Sequence, residues 1–294
     1  MKDIKIIFII FNLLLVLFIN IEELKKSFFL RRDIKPSYKI IGISYANNRY
    51  MTQRKNNKKS AIEIGKVDEY YGYGPEDIDK NFYEKNKDIL SRNRGNGYWL
   101  WKPYFILKAL KEKLNDGDYL IYTDAGSFYL DDVKKIIQPI EKMNKEMWSY
   151  KLTGFKEREW TKRDAFILMG ADSPFYYETD QFMACFQIYK KSKFTIFFVE
   201  EYLYYSQDKR IITDEPNTMG LPNYNGFREN RHDQSIFSIL TKKYGQSNSG
   251  KMNMNISYIQ NLVKTIPFIF CHYRRMSIKG YEDLKQKCIK HEYH

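Results

Sequence analysis

The sequence predicts an α/β fold with a mostly parallel central sheet and helices on both faces. Short apolar runs rich in β-branched and aromatic residues, Tyr38–Ala46 and Tyr119–Thr123 foremost, alternate with segments of helical period such as Pro103–Leu114. After Pro36 no linker-like stretch, internal repeat or low-complexity tract divides the chain, so the body from residue 38 to 294 reads as one domain.

In order, Tyr38–Ala46 is a buried first strand, and the polar residues 47–60 form a loop. Ala61–Gly65 ends a helix, and Lys66–Tyr71 leads into a second strand. Pro75 with Glu76, Asp77 and Asp79 opens a helix running to Leu90, because Pro suits the first turn and acids suit the positive end of the helix dipole. Phe105, Ile106, Ala109 and Leu110 share one face of a helix over 103–114, and Asn115-Asp116-Gly117-Asp118 is a turn. Tyr119–Thr123 is a buried strand ending in Asp124-Ala125-Gly126. Beyond it the pattern gives a helix over 131–147 interrupted at Pro139, strands at Ala165–Leu168 and Phe182–Tyr189, and a helix at Phe194–Gln207. Residues 213–230 are irregular; a helix from Asp233 to Lys243 and a β-like run Thr265–Cys271 follow.

The N-terminus has a different character. Ile4 to Ile21 is apolar except for Lys5, Asn12 and Asn20. As a helix it is about 27 Å long, enough for a bilayer core. The run ends without the small-residue pattern of a cleavage site, which favours an uncleaved single-pass anchor over residues 1–24. Residues 25–37 form a short charged stem. Lys25, Lys26, Arg31, Arg32 and Lys35 outnumber Lys2 and Lys5, so the positive-inside bias puts the body on the cytoplasmic side, whereas the sequon Asn255-Ile256-Ser257 fits a lumen; the side stays open.

With 43% apolar residues and 25 Tyr, 20 Phe and 4 Trp, the chain has ample material for a core and is neither collagen-like nor disordered. Its net charge of +13 suits anionic partners, and it also suits a compositional bias towards Lys. No basic block alternates with glycines or a regular aromatic stripe, so nothing points to nucleic acid. Three cysteines at 185, 271 and 288 exclude a disulfide scaffold and a zinc spacing; one bridge at most can form. A phosphate loop of the GxxxxGK[ST] type is absent, which ranks a nucleotidyl- or phosphotransferase last.

Four places could carry chemistry. Asp124 follows a hydrophobic strand, where open α/β sheets bind ligands; it is either a ligand of a cation bridging phosphates or the cap of a turn. Ala125 and Gly126 leave space beside it. His232-Asp233-Gln234-Ser235 opens a helix; Asp233 and Gln234 suit the gripping of sugar hydroxyls, or Asp233 is an N-cap. His272 is a candidate metal or phosphate contact, a lone His being more often structural. In Arg94-Gly95-Asn96-Gly97-Tyr98-Trp99-Leu100-Trp101-Lys102-Pro103 the glycines allow close backbone approach, Arg94 and Lys102 could neutralise a diphosphate, and the indoles could stack on a ligand or fill the core. A bend between Gly97 and Pro103 would turn one indole into the core and leave the other, Trp101, at the pocket.

The blocks Gly97-Tyr98-Trp99-Leu100-Trp101-Lys102-Pro103-Tyr104, Tyr119–Gly126 and His232-Asp233-Gln234-Ser235, taken together and in this order, resemble a group of glycosyltransferase-like proteins of the nucleotide-diphospho-sugar transferase superfamily, over about Tyr38 to Arg275. The resemblance implies a Rossmann-like GT-A fold and a nucleotide-sugar donor, with a glycan, lipid or protein as acceptor. It puts Asp124 at the first Asp of an Asp-x-Asp metal motif and His272 at a late metal-binding His, and so implies a divalent cation, Mn2+ or Mg2+. It makes Asp233 and Gln234 the pair that meets a sugar, Asp233 being the leading acceptor-activating base. Arg94, Trp101, Lys102, Asp124, Ala125 and Gly126 are then the donor-binding residues. The second Asp of the motif is replaced by Gly126, which puts metal dependence in question and keeps open a rival, a carbohydrate- or nucleotide-binding protein without catalysis.

Overall fold

The six residues of β1 (Ile40–Tyr45) are all buried, and the strand lies between two parallel neighbours. The computed structural model describes residues 38–244, 270–272 and 280–290. The expected anchor and stem at 1–37 lie outside these, and among the described residues no helix is long and apolar enough to cross a membrane.

From β1 the chain passes through helix α1 (Met51–Glu63) to β2 (Glu69–Tyr73), which pairs parallel to β1 on one side. It then runs through helix α2 (Lys80–Lys85) and helix α3 (Trp101–Glu112) to β3 (Tyr119–Thr123), parallel to β1 on the other side. The first crossover thus carries the chain to one side of β1, and the second takes it back past β1 to the other. Beyond β3 come the short β4 (Ser127–Tyr129), helix α4 (Lys134–Lys142), β5 (Met147–Trp148), β6 (Lys151–Lys156), helix α5 (Arg163–Leu168), β7 (Asp180–Phe182) and β8 (Phe186–Lys190). Helices α6 (Lys193–Ser206) and α7 (Asp233–Tyr244), strand β9 (Phe270–His272) and helix α8 (Tyr281–Lys290) complete the fold. The central sheet has the order β2-β1-β3-β8-β5, with β8 antiparallel to both its neighbours, so four of its five strands point the same way. This is a mixed α/β fold with a mostly parallel sheet.

Ile41 and Ile43 of β1 and Leu120 and Tyr122 of β3 meet Phe105, Ile106, Ala109 and Leu110 of α3, with Phe198 and Phe237 of α6 and α7 behind them. The alternate residues Ile40 and Ile121 are equally buried, as strands covered on both faces require. The helical face read at 105, 106, 109 and 110 is thus the core face of α3. Cys271 on β9 is disulfide-bonded.

Five expectations are corrected. Most of 47–60 is helix, not loop. A Lys- and Asn-rich segment shows no apolar stripe, and α1 is held instead by polar groups: buried Asn57 donates to Thr123 Oγ1 (3.0 Å) and to the Ser127 carbonyl (2.8 Å), and accepts from the Tyr70 hydroxyl (2.6 Å). Ala165–Leu168 is the end of helix α5, not a strand; an apolar run of four has no period of its own. Buried Asp164 ties that helix to the irregular loop by accepting from the amides of Thr218 (2.6 Å) and Met219 (3.1 Å). The run 182–189 is divided: Asp180–Phe182 pairs with β6 and Phe186–Lys190 with β3. The helix expected from Pro75 to Leu90 is broken into a 3-10 turn and two short helices, and the one expected over 131–147 shrinks to Lys134–Lys142 with Pro139 inside it. The run 265–269 lies outside the described residues.

Asn57 spans α1 and the turn after β3, so its loss should be felt in both. Asn57→Ala should lower unfolding stability by about 2–3 kcal/mol, from three lost bonds at roughly 1 kcal/mol each, as measured by urea denaturation.

Candidate functional site

The carboxyl ends of β1 and β3 are neighbours at the point where the chain reverses its direction across the sheet, the place where open α/β sheets form a ligand crevice. A cleft of about 310 Å3 opens there. One wall follows β1: Tyr45, Ala46, Asn47, Arg49 and Tyr50. Asp124, Ala125 and Gly126 after β3 form a second, and Asn93, Gly95, Asn96, Trp99 and Trp101 the third.

The third wall has an unusual backbone. Gly95, Asn96, Gly97, Tyr98 and Trp99 all have positive φ, from 51° to 94°, and so make one left-handed turn. Such a conformation costs roughly 1–2 kcal/mol for each L-residue with a side chain. Glycine is required at 97, where a Cβ would lie 2.7 Å from the Leu90 Cα. Amide bonds from Gly97 to the Arg92 carbonyl and from Tyr98 to the Arg94 carbonyl, both 2.8 Å, hold the turn. Trp101 Nε1 donates to the Gly95 carbonyl at 2.9 Å, and Asn96 donates to the Tyr45 hydroxyl. The Trp101 indole stacks on the Tyr45 ring, with centroids 3.8 Å apart and an 18° tilt. Both indoles reach the cleft: Trp101, 5% exposed, is its floor and a member of the core, while half-buried Trp99 stacks on His232 at 5.2 Å. The expected division of one indole to the core and one to the pocket is not made.

Beneath the cleft lies a buried ion cluster. Lys102 Nζ is 3.4 Å from Asp124 Oδ1 and 2.5 Å from Asp233 Oδ2, and donates to the Ala184 carbonyl at 3.3 Å. Asp124 Oδ1 also accepts from the Tyr122 hydroxyl at 2.6 Å, and Tyr202 donates to Asp233 at 3.2 Å. Burial pulls the Lys102 ammonium down, but the carboxylates of Asp124 and Asp233 more than reverse this and hold its pKa above the ordinary lysine value. Burial raises the Asp233 carboxyl, against the opposing pull of Lys102.

Of the residues singled out in the sequence, Trp101, Asp124, Ala125 and Gly126 line the cleft together. Lys102 lies below it, in contact with Asp124. Asp233 is buried against Lys102 and Tyr202, and Gln234 is bonded to Gln181 (2.8 Å) and the Ala184 amide (3.3 Å); neither lines the cleft. Arg94 points the other way, to Asp214 (3.3 Å), Glu229 (3.4 Å) and His232 Nε2 (3.1 Å). Its partners Asp214 and Glu229 line a second cleft, of about 250 Å3, among the 214–230 loop. The backbone of His272 pairs with Ser127, two residues past Ala125; its side chain lies outside the description. The wall after β1 was missed, although the strand-end rule that picked out Asp124 applies equally to Asn47 and Arg49.

Among the described residues the donor set does not fit the expected divalent cation; the side chain of His272, the other expected ligand, lies outside them. Among the described residues no three His, Cys, Asp or Glu side chains converge to hold a metal ion. Asp124 is the one carboxylate among the cleft residues, and it already faces the Lys102 ammonium.

Lys102→Met leaves two buried carboxylates without their cation and should destabilise the chain by about 3–5 kcal/mol, while adding Asp233→Asn should recover part of the loss; thermal and urea unfolding of both variants measure this. His232 gives a pH signature. Its Nδ1 donates to the Ile212 carbonyl (2.7 Å) and its Nε2 accepts from Arg94, as a neutral ring does, and burial lowers its pKa below 6.5. A folded-state pKa below the unfolded one supports stability above pH 6.5 and loses it as pH falls towards the folded value. Stability measured against pH should therefore decline below about 6.5, and His232→Gln should flatten that limb.

No protein family matches the sequence, and no curated protein matches it. The fold is similar to solved structures of glycosyltransferases. The galactosyltransferase LgtC, solved with donor and acceptor sugar analogues, is 14% identical at a TM-score of 0.42, over 84% of this chain and 96% of that one. The bifunctional glycosyltransferase WbbM is 11% identical at 0.44, over 84% of this chain. The glycosyltransferase GlyE of Streptococcus pneumoniae is 13% identical at 0.39, over 85%. The chain spans 49% of the length of WbbM and 59% of that of GlyE.

Proposed function

We propose that this chain is a glycosyltransferase that moves a sugar from a nucleotide-diphosphate donor to a glycan, lipid or protein acceptor. The observation that carries the reading is the cleft at the reversal point of the sheet, joining an aromatic surface, an arginine and one carboxylate. Tyr45, Tyr50, Trp99 and Trp101 offer faces for a base or a sugar ring; Asn47, Asn93 and Asn96 carry amides that can donate to and accept from hydroxyls. The three sequence blocks that resemble glycosyltransferases meet here: the first two line the cleft, and the third supplies Asp233 beneath it.

In the reaction, the bond between the sugar's anomeric carbon and the diphosphate oxygen breaks, its electron pair leaving on the diphosphate. The acceptor's hydroxyl oxygen bonds to that carbon and gives its proton to solvent water. The chain's part is to align the donor on the aromatic floor, to orient the sugar through Asp124, and to keep Asp124 in place through Lys102 and Tyr122. The strained left-handed turn, fixed from both sides, makes the third wall rigid before a ligand arrives. An N-terminal anchor holding this site at a membrane surface belongs to the same proposal.

Incubating the full chain with a panel of nucleotide sugars and glycan, lipid-linked and peptide acceptors should release nucleoside diphosphate and add one sugar mass to an acceptor. Asp124→Asn should lower kcat/KM by about 10- to 100-fold, the equivalent of one charged hydrogen bond. Donor binding without turnover against every acceptor would select the rival reading of a binding protein.

A further inference from the structure

We propose that the donor's diphosphate is met by Arg49, and that Asp124 serves as an acceptor for sugar hydroxyls, with no divalent cation needed for the donor to bind. This rests on the donor-site reading above and assigns the charges within it.

The first support is the state of Asp124. The Lys102 ammonium beside its Oδ1 is itself gripped by Asp233 and the Ala184 carbonyl and is only 2% exposed, so it cannot swing away. A dication bound to the same oxygen would face a fixed positive charge in a poorly solvated place, where repulsion is strong. That oxygen also accepts from Tyr122. Gly126, two residues on, brings no ligand atom from a side chain. A carboxylate offers about four acceptor sites, so Asp124 can take a hydroxyl beside these bonds, while the fixed Lys102 ammonium offsets much of the negative field that would attract a metal.

The second support is Arg49. It is exposed on the 3-10 turn after β1, lines the same cleft as Asp124, and forms none of the ion pairs among the described residues. Arg92, Arg94, Arg158, Arg163, Arg210, Arg228 and Arg231 all have carboxylate partners. A guanidinium presents a fork of donors that matches paired phosphate oxygens, and unlike a buried lysine it is in reach of a ligand. With Lys102 occupied below the floor, Arg49 is, among the described residues, the cation of the cleft wall that remains for the diphosphate.

Calorimetric titration of the full chain with UDP, GDP and ADP, and with uridine, guanosine and adenosine, tests this in EDTA and again with Mn2+ or Mg2+. One nucleoside diphosphate should bind in EDTA within about threefold of its affinity with metal, a difference under 1 kcal/mol. Arg49→Met should weaken that diphosphate by about tenfold or more and leave the matching nucleoside unchanged, and Arg49→Lys should fall between. Because Arg49 is exposed, an unchanged melting temperature in both variants is the accompanying check. Binding that occurs only with metal, or an Arg49→Met variant that binds the diphosphate as the parent does, overturns the proposal while leaving the donor site standing. Absence of binding by every nucleotide, with and without metal, overturns the donor-site reading and this assignment with it.

Discussion

The ammonium of Lys102 is the point on which the site depends. It stands in the first turn of α3, reaches the carboxylate at the end of β3 and the one that opens α7, and so joins a helix, a strand and a second helix distant in sequence. Two buried carboxylates share this single cation, and neither would be tolerated there alone. The cluster is continued by neutral groups. The Ala184 carbonyl accepts from Lys102 and from Gln187, and Gln187 in turn accepts from Tyr189. Gln234 carries the network to Gln181, and Gln181 carries it to Glu157, which is paired with Lys242. A chain of buried polar contacts thus runs from the cleft floor to the far part of α7, and each member has a partner that fixes its geometry.

Above this polar layer is an aromatic one. Trp101 stacks on Tyr45, and Phe105 lies beside both Tyr45 and Tyr73, so the cleft floor continues without a break into the hydrophobic core. The left-handed turn presents Gly95, Asn96 and Trp99 to the cleft at an angle a right-handed turn would not give, and the backbone energy this costs is offset by its bonds to Arg92, Arg94 and Tyr45. On the side away from the cleft, Arg94 and His232 brace the same turn against Asp214, Glu229 and Ile212. His232 also has positive φ, so two strained segments lean on each other through the Trp99 stack.

Much of the site was legible because it obeys local rules. A buried strand rich in aromatic and β-branched residues followed by Asp-Ala-Gly marks a strand end facing a crevice whatever surrounds it, and the glycine-spaced tryptophans marked a close backbone approach. The charged residues were not legible in the same way. Arg94 and Lys102 flank the same motif and read alike as candidate phosphate cations, yet one is turned to an acidic loop and the other is sealed under the floor. Arg49, in a stretch that read as an undistinguished polar loop, is the one on the cleft wall among the described residues. Asn57 was hidden for a related reason: a polar residue in a polar segment gives no periodic signal, and its burial follows from Thr123, Ser127 and Tyr70, none of them near it in sequence.

By itself the sequence determined the alternation of strands and helices, the core face of α3, the strand end at Asp124 and the irregular course of 213–230, since these follow from period, side-chain shape and turn chemistry within a few residues. Only the tertiary structure decided that β8 runs against its neighbours, that 51–63 is a helix, and which cation serves which carboxylate. The reason is physical. Hydrophobic periodicity is a property of one segment, whereas strand direction in a sheet and the partner of a buried charge are properties of two segments brought together. Lys102 is recognisable as a core residue only once Asp124 and Asp233, 22 and 131 positions further on, are seen to converge on it.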